Sequence, residues 1–152
     1  MDYSHDDAGL VRQPIGYWSW AAHDAVVTHI RAELAGLGLS QPQWWVLSQL
    51  AESPEGRDRT ELAGFLQGYL GVGGPAIGDE IDTLLGRDLV ALGPDGLLRT
   101  TASGAGLQAR AAERQRAVRA GIHEGIEDEE YVRTLKVLQR MIHNVGGRAW
   151  HH

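Results

Sequence analysis

Indole and imidazole side chains crowd two short stretches of this chain: Tyr17, Trp18, Trp20, His23 and His29 in one, Trp44 and Trp45 in the other. Indole combines a large apolar face with one N–H donor, so such a cluster can wall a pocket for a flat aromatic ligand or fill a core. Trp20 and His23 are three residues apart and share a helix face, with Asp24 four beyond Trp20. Successive helical residues diverge by about 100°, so Trp44 and Trp45 cannot face the same way. Trp20, His23, Trp44 and Trp45 are the candidate ligand-binding residues.

That chemistry is binding rather than catalysis. Ser19, His23 and Asp24 are the residue types of a hydrolytic triad, but helical neighbours do not point at one another in relay geometry. No catalytic residue is assigned. There is no cysteine, and no His, Asp and Glu set has metal-ligand spacing; His23 and His29 are six apart. The glycine-rich run from Gly71 to Gly78 superficially resembles a phosphate loop, yet no strand precedes it and no lysine follows. No metal or cofactor is expected.

A second constellation spans Leu62 to Val90. Leu62, Phe65, Leu66 and Tyr69 make one apolar face, Gly71 allows a turn, and Pro75 suits the first position of a new helix. Ile77, Ile81, Leu84, Leu85 and Leu89 then repeat at helical spacing. This is the frame of a helix-turn-helix, whose second helix normally offers donors to bases and phosphates in the major groove. Here the outward positions are Gly73, Gly74, Ala76, Gly78, Asp79, Asp82 and Thr83. From Glu52 to Arg99, four arginines oppose nine carboxylates, a formal net of −5. Arg57, Arg59, Arg87 and Arg99 are the only cations there to meet phosphate.

The elements that must position these residues are mainly helical. A long helix is expected from about Pro14, through Ile15, Trp18, Ala22, Val26, Ile30, Leu34 and Leu37, ending at Gly36 and Gly38. Ser40 with Gln43 is a capping-box pattern opening a second helix, and Asp58 with Glu61 repeats it. Two short apolar runs flank the turn from Gly93 to Gly96 and read as a hairpin. Thr101 caps a further helix, and a last one follows from about Asp128. Its stripe of Tyr131, Leu135, Leu138, Ile142 and Val145 has too little chain left to cover it. Paired with Ile15 and Trp18 of a second copy, that stripe makes a dimer interface. The first dozen residues read as a flexible arm. Arg110, Arg114, Arg116 and Arg119 form the most basic stretch, read as a solvated surface or a phosphate-contacting edge.

At 152 residues the chain is long enough for one domain with a real core, and its net charge of −6 does not favour non-specific nucleic-acid binding. No run of about 18 apolar residues could span a membrane. The acidic start lacks the build of a signal peptide, and absent cysteine fits a reducing compartment, so a cytoplasmic protein is expected.

In this order, Glu61-Leu62-Ala63, Leu70-Gly71-Val72, Pro75, the run from Leu84 to Val90, and Thr101 to Gly104 opening the post-hairpin helix are similar to the MarR (multiple-antibiotic-resistance regulator) family of winged-helix transcription factors. The resemblance covers nearly the whole chain. It implies one domain over residues 1–152: dimerisation helices at about 14–37 and 102–147 and a winged helix-turn-helix at about 40–100. It also implies a homodimer that binds duplex DNA, and a small, often aromatic, molecule held between dimerisation helices and winged domain that releases the DNA. Two features depart from the family: the donor-poor recognition stretch and a wing turn shortened to Gly93-Pro94-Asp95-Gly96, with Arg99 the only nearby arginine. Those departures keep open a family member, a ligand-binding protein or an enzyme, that retains pocket and dimer but has abandoned DNA, or an interaction module whose acidic face binds a protein.

Overall fold

Serine, threonine and aspartate caps set most helix boundaries, because a side-chain oxygen there satisfies amide groups that the first turn leaves without partners. The computed structural model describes residues 3–70 and 76–149. Its first element corrects the expected flexible arm. Asp6 accepts from the Gly9 amide at 2.8 Å and opens a short helix, α1 (Asp7–Leu10). The long helix α2 (Ile15–Ala35) follows Pro14 and ends where Gly38 takes φ +70°. Ser40 and Gln43 form the full reciprocal capping box, both bonds 3.2 Å, at the start of α3 (Gln41–Ala51). Asp58 caps α4 (Arg59–Gln67) through the Thr60 and Glu61 amides at 2.8 and 3.0 Å.

The recognition-type helix α5 (Ile77–Gly86) starts differently. Its cap residue, Ala76, has no oxygen to offer, and Gln67 at the end of α4 accepts the Ile77 amide instead, at 3.3 Å. The first residue of the described helix is Ile77; the expected helix start at Pro75 and the Gly71 turn lie outside the described residues. After α5, Asp88 takes φ +55°, which lets the Leu89 amide reach back to the Leu84 carbonyl at 3.0 Å.

The hairpin forms as expected. Strands β1 (Val90–Leu92) and β2 (Leu98–Thr100) pair antiparallel, with Ala91 opposite Arg99. Arg57 adds an isolated bridge to Leu98 on the far edge of β2. Thr101 caps α6 (Ala102–Ile122), accepting from the Gly104 amide at 3.0 Å and donating to the Asp88 carbonyl at 2.7 Å. A Cβ at Gly104 would fall on the backbone carbonyl of Leu89, so only glycine lets α6 lie this close to the end of α5. Then comes α7 (Asp128–Asn144).

Helix α3 lies at the centre, packed against α2, α4, α5, α6 and β2. Val46, Leu47, Leu62, Ile81, Leu84 and Leu98 are fully buried around it, each side chain contributing roughly 1.5–3 kcal/mol relative to exposure. The terminal helices contribute little to this core. Only Leu34 of α2 is buried, and no residue of α7 is. Ile15, Trp18 and Leu135 are exposed at 48%, 42% and 40%, while Tyr131, Leu138 and Ile142 are half-buried. No described helix is long and apolar enough to cross a membrane.

Candidate ligand cleft and nucleic-acid face

One face of α3 carries Trp44, Ser48 and Glu52 at spacings of four, and one face of α6 carries Gln108, Ala112, Gln115 and Arg119. Where the two helices meet, these residues and Arg116 line a cleft of about 490 Å³. Trp44 supplies an aromatic wall, half-buried against the core. Two buried polar atoms here, Ser48 Oγ and Gln115 Nε2, make no hydrogen bond to any described residue. Buried donors and acceptors are nearly always paired, so these two stand out among the residues that line the cleft. A larger groove of about 670 Å³ runs along α7 and is lined by that helix and no other; both it and the α3–α6 cleft are open to solvent.

The expected aromatic residues separate. Trp44 lines the cleft. Trp45 turns away from it and packs on the Tyr69 ring, centroids 5.2 Å apart. Trp20 and His23 sit exposed on α2, where Trp20 lies 6.1 Å from the Tyr17 ring, and neither lines the cleft. Ser48 and Gln115 were missed by the sequence reading; the four-residue step from Trp44 to Ser48 to Glu52 is the signal that points to them. Among the described residues no group of side chains could hold a metal ion.

The helix-turn-helix face has the opposite character. Asp79, Asp82 and Thr83 are exposed, as expected. Each of the four candidate arginines, however, already has a partner. Arg57 donates to the Gln49 side chain and lies 5.5 Å over the Phe65 ring. Arg59 makes a two-pronged pair with Asp82, at 2.6 and 2.9 Å, and donates to the Gly78 carbonyl at 3.1 Å. Arg87 donates to the Gly38 carbonyl at 2.8 Å and to Gln43 Oε1 at 3.2 Å. Arg99 pairs with both oxygens of Asp95, at 2.9 and 2.7 Å, and donates to the Glu55 carbonyl. Hydrogen bonding to Arg59 pulls the Asp82 carboxyl below the ordinary aspartate range; Arg99, helped by the Leu97 amide, does the same to Asp95. The basic stretch on α6 is used in part: Arg114 pairs with Glu33 of α2 at 3.3 Å, and Arg119 lies over Tyr131.

Helix α5 is also tied to α3 by a side chain that the sequence marked only as half of a capping box. Gln43, buried, donates to Glu80 at 2.7 Å and accepts from Arg87, so one amide holds both ends of α5.

No protein-family model and no curated protein matches the sequence. Solved structures do. A MarR family transcriptional regulator from Silicibacter pomeroyi superposes with TM-score 0.69 at 18% identity, over 93% of this chain and 99% of that one. CouR from Rhodococcus jostii RHA1, bound to p-coumaroyl-CoA, superposes with TM-score 0.67 at 25% identity, over 85% and 91%. Rv2887 of Mycobacterium tuberculosis, a MarR family protein in complex with DNA, gives 0.63 at 24%, over 85% and 98%. The chain has the MarR-family fold.

In the MarR fold, α4 and α5 are the helix-turn-helix and β1–β2 is the wing. The mainly helical architecture with a small hairpin is as the sequence implied. The cleft lies between α6 and α3.

Proposed function

We propose that this protein is a small-molecule-responsive transcriptional regulator that acts as a homodimer and takes a flat aromatic ligand in the cleft between α3 and α6. The observation that carries the reading is the pair of partnerless buried groups, Ser48 Oγ and Gln115 Nε2, beside the indole of Trp44. An aromatic body stacks on indole, contributing about 0.5–1.5 kcal/mol beyond burial, while a carbonyl or hydroxyl oxygen satisfies the two polar groups. Arg116, paired with Glu113 at 2.6 Å, and Arg119, which lies over Tyr131, bring positive charge to the rim, where Glu52 opposes it. The p-coumaroyl-CoA complex of CouR supports a ligand of this kind. Trp20 and His23 remain candidates for the α2 side of the site, and Trp45 supports the core.

Dimerisation follows from the uncovered apolar surface of the terminal helices, with Ile15 and Trp18 of one copy meeting Tyr131, Leu135, Leu138 and Ile142 of the other. Leu138→Glu should dissociate or unfold the dimer in sedimentation. A native monomer at micromolar wild-type protein would remove this part of the reading.

Fluorescence titration with p-coumaroyl-CoA and with salicylic acid tests the ligand reading. Quenching is expected in wild type, with several-fold weaker binding for Trp44→Ala; tight binding unaffected by that change places the ligand elsewhere. A second reading, a MarR-fold ligand-binding protein that has abandoned DNA, is favoured by one observation: all four arginines of the helix-turn-helix face are engaged within the chain. Screening the protein against its own flanking genomic sequence, with and without aromatic compounds, separates the two.

A further inference from the structure

Arg59 lies at the start of α4, against Gly78 and Asp82 of α5, and Arg99 lies on strand β2 of the wing, against Asp95. Both guanidinium groups are occupied in two-pronged geometry, the arrangement in which arginine also binds phosphate. The wing pair sits in a made-to-measure niche. A Cβ at Gly93 would lie 2.5 Å from Arg99 Nη1 and 2.6 Å from Asp95 Oδ1, and one at Gly56 would lie 3.0 Å from Arg99 Cζ. Two glycines thus leave the room in which Arg99 folds back onto Asp95 and the Glu55 carbonyl. On the helix side, Asp82 projects from the exposed face of α5, four residues after Gly78, and both groups converge on Arg59.

We infer that Asp82 and Asp95 are internal counter-ions that set this protein's DNA affinity, each filling the arginine fork that a backbone phosphate would otherwise take. Duplex DNA must displace a carboxylate to gain either arginine, so neither contact releases the condensed counterions that normally drive binding. The wild type then binds duplex weakly and with a shallow dependence on salt, and the two carboxylates rather than the arginine count decide how weakly. This inference rests on the reading that the α4–α5 and wing face meets DNA.

The test is a titration of a short mixed-sequence duplex by full-length wild type and variants at several salt concentrations, with thermal unfolding to confirm that each is folded. Asp82→Asn and Asp95→Asn should each steepen the slope of log affinity against log salt by about 0.9, an extra loss of roughly 3.5-fold for every fourfold rise in salt. Arg59→Ala should change little in wild type but abolish the gain of Asp82→Asn. Asp79→Asn removes a charge that acts on Arg59 without a hydrogen bond to it, and should steepen the slope less than Asp82→Asn does. Gly93→Ala disturbs the wing pair with no change of charge and should steepen the slope as Asp95→Asn does. A gain from Asp82→Asn that survives loss of Arg59 is plain charge removal and overturns the inference. Steep, tight wild-type binding untouched by these substitutions also overturns it but leaves the DNA reading standing. Folded Asp82→Asn/Asp95→Asn protein that ignores duplex at the lowest salt ends both.

Discussion

The α3–α6 cleft and the α4–α5–wing face treat polar groups in opposite ways. In the cleft, two buried polar atoms are left without any partner among the described residues. On the face, all four arginines are supplied with one, and two of them with a carboxylate held at both oxygens. A buried group without a partner costs stability unless something outside satisfies it, and this is why the proposed ligand is placed in the cleft. A charge paired at its own surface gains nothing more from a partner unless the pair is first broken. The proposed ligand reception and the proposed DNA docking would therefore be prepared to different degrees by the same chain.

The two regions are joined where α6 meets the end of α5, at Gly104 against Leu89, so the largest expected effect comes from breaking that joint. A methyl at Gly104 must push aside backbone rather than a flexible side chain. Gly104→Ala should lose at least the roughly 1–3 kcal/mol typical of overpacking, lowering the unfolding temperature by several degrees and disturbing cleft and wing together. Unchanged stability would mean that α6 can slide freely along the winged domain, and that the regions are not rigidly joined.

Next in size is a change that sharpens the contrast from the cleft side. Gln115→Met keeps the length of the side chain and removes the partnerless donor. An unsatisfied buried group costs about 1–3 kcal/mol, so the ligand-free protein should become more stable by about 1 kcal/mol while binding of an aromatic acid weakens. Differential scanning calorimetry with and without ligand reads both. A variant less stable than wild type would show that Gln115 is already satisfied by solvent, and the cleft would lose its claim to be poised.

An effect of similar size and opposite sign is expected at Gln43, which ties the first turn of α5 and Arg87 to α3. Gln43→Leu leaves Glu80 and Arg87 without this amide and breaks half of the capping box at Ser40. Because both charged partners can turn to water, the loss should stay near 1 kcal/mol, with faster amide exchange confined to α5 and the start of α3. Exchange that rises evenly through the core would instead make Gln43 an ordinary packing residue.

What was legible in the sequence was local. Ser40 with Gln43, Asp58 and Thr101 cap helices within three residues, and the turn from Gly93 to Gly96 closes the hairpin, so spacing alone locates them. The apolar repeat of Ile77, Ile81 and Leu84 likewise identified the buried side of α5. Contacts between distant segments left no such signature. Gln43 meets Glu80 across 37 residues, and Gln67 caps Ile77 because Ala76 cannot. Counting charges found an acidic face but treated Arg59 and Arg99 as free, since composition does not record which carboxylate each arginine reaches. The short helix α1 was missed because an acidic, polar start reads as an arm, although Asp6 is itself the cap that organises it.

The smallest expected effect probes the face through acid. Arg59 and Arg99 hold the carboxyls of Asp82 and Asp95 below their ordinary value of 3.8. A carboxylate more acidic in the folded chain than in the unfolded one stabilises the fold at pH above the unfolded value. That contribution fades only as pH falls from about 4 through the depressed folded values. Both pairs are solvent-exposed, so water and salt screen them and the contribution stays slight. Asp82→Asn/Asp95→Asn should therefore match wild-type stability closely at neutral pH and show a shallower decline below about pH 4, with the difference vanishing in high salt. Parallel acid curves at low salt would mean that neither pair persists in solution, leaving both arginines free to meet phosphate and the face far more like an ordinary DNA-reading surface than its charge suggests.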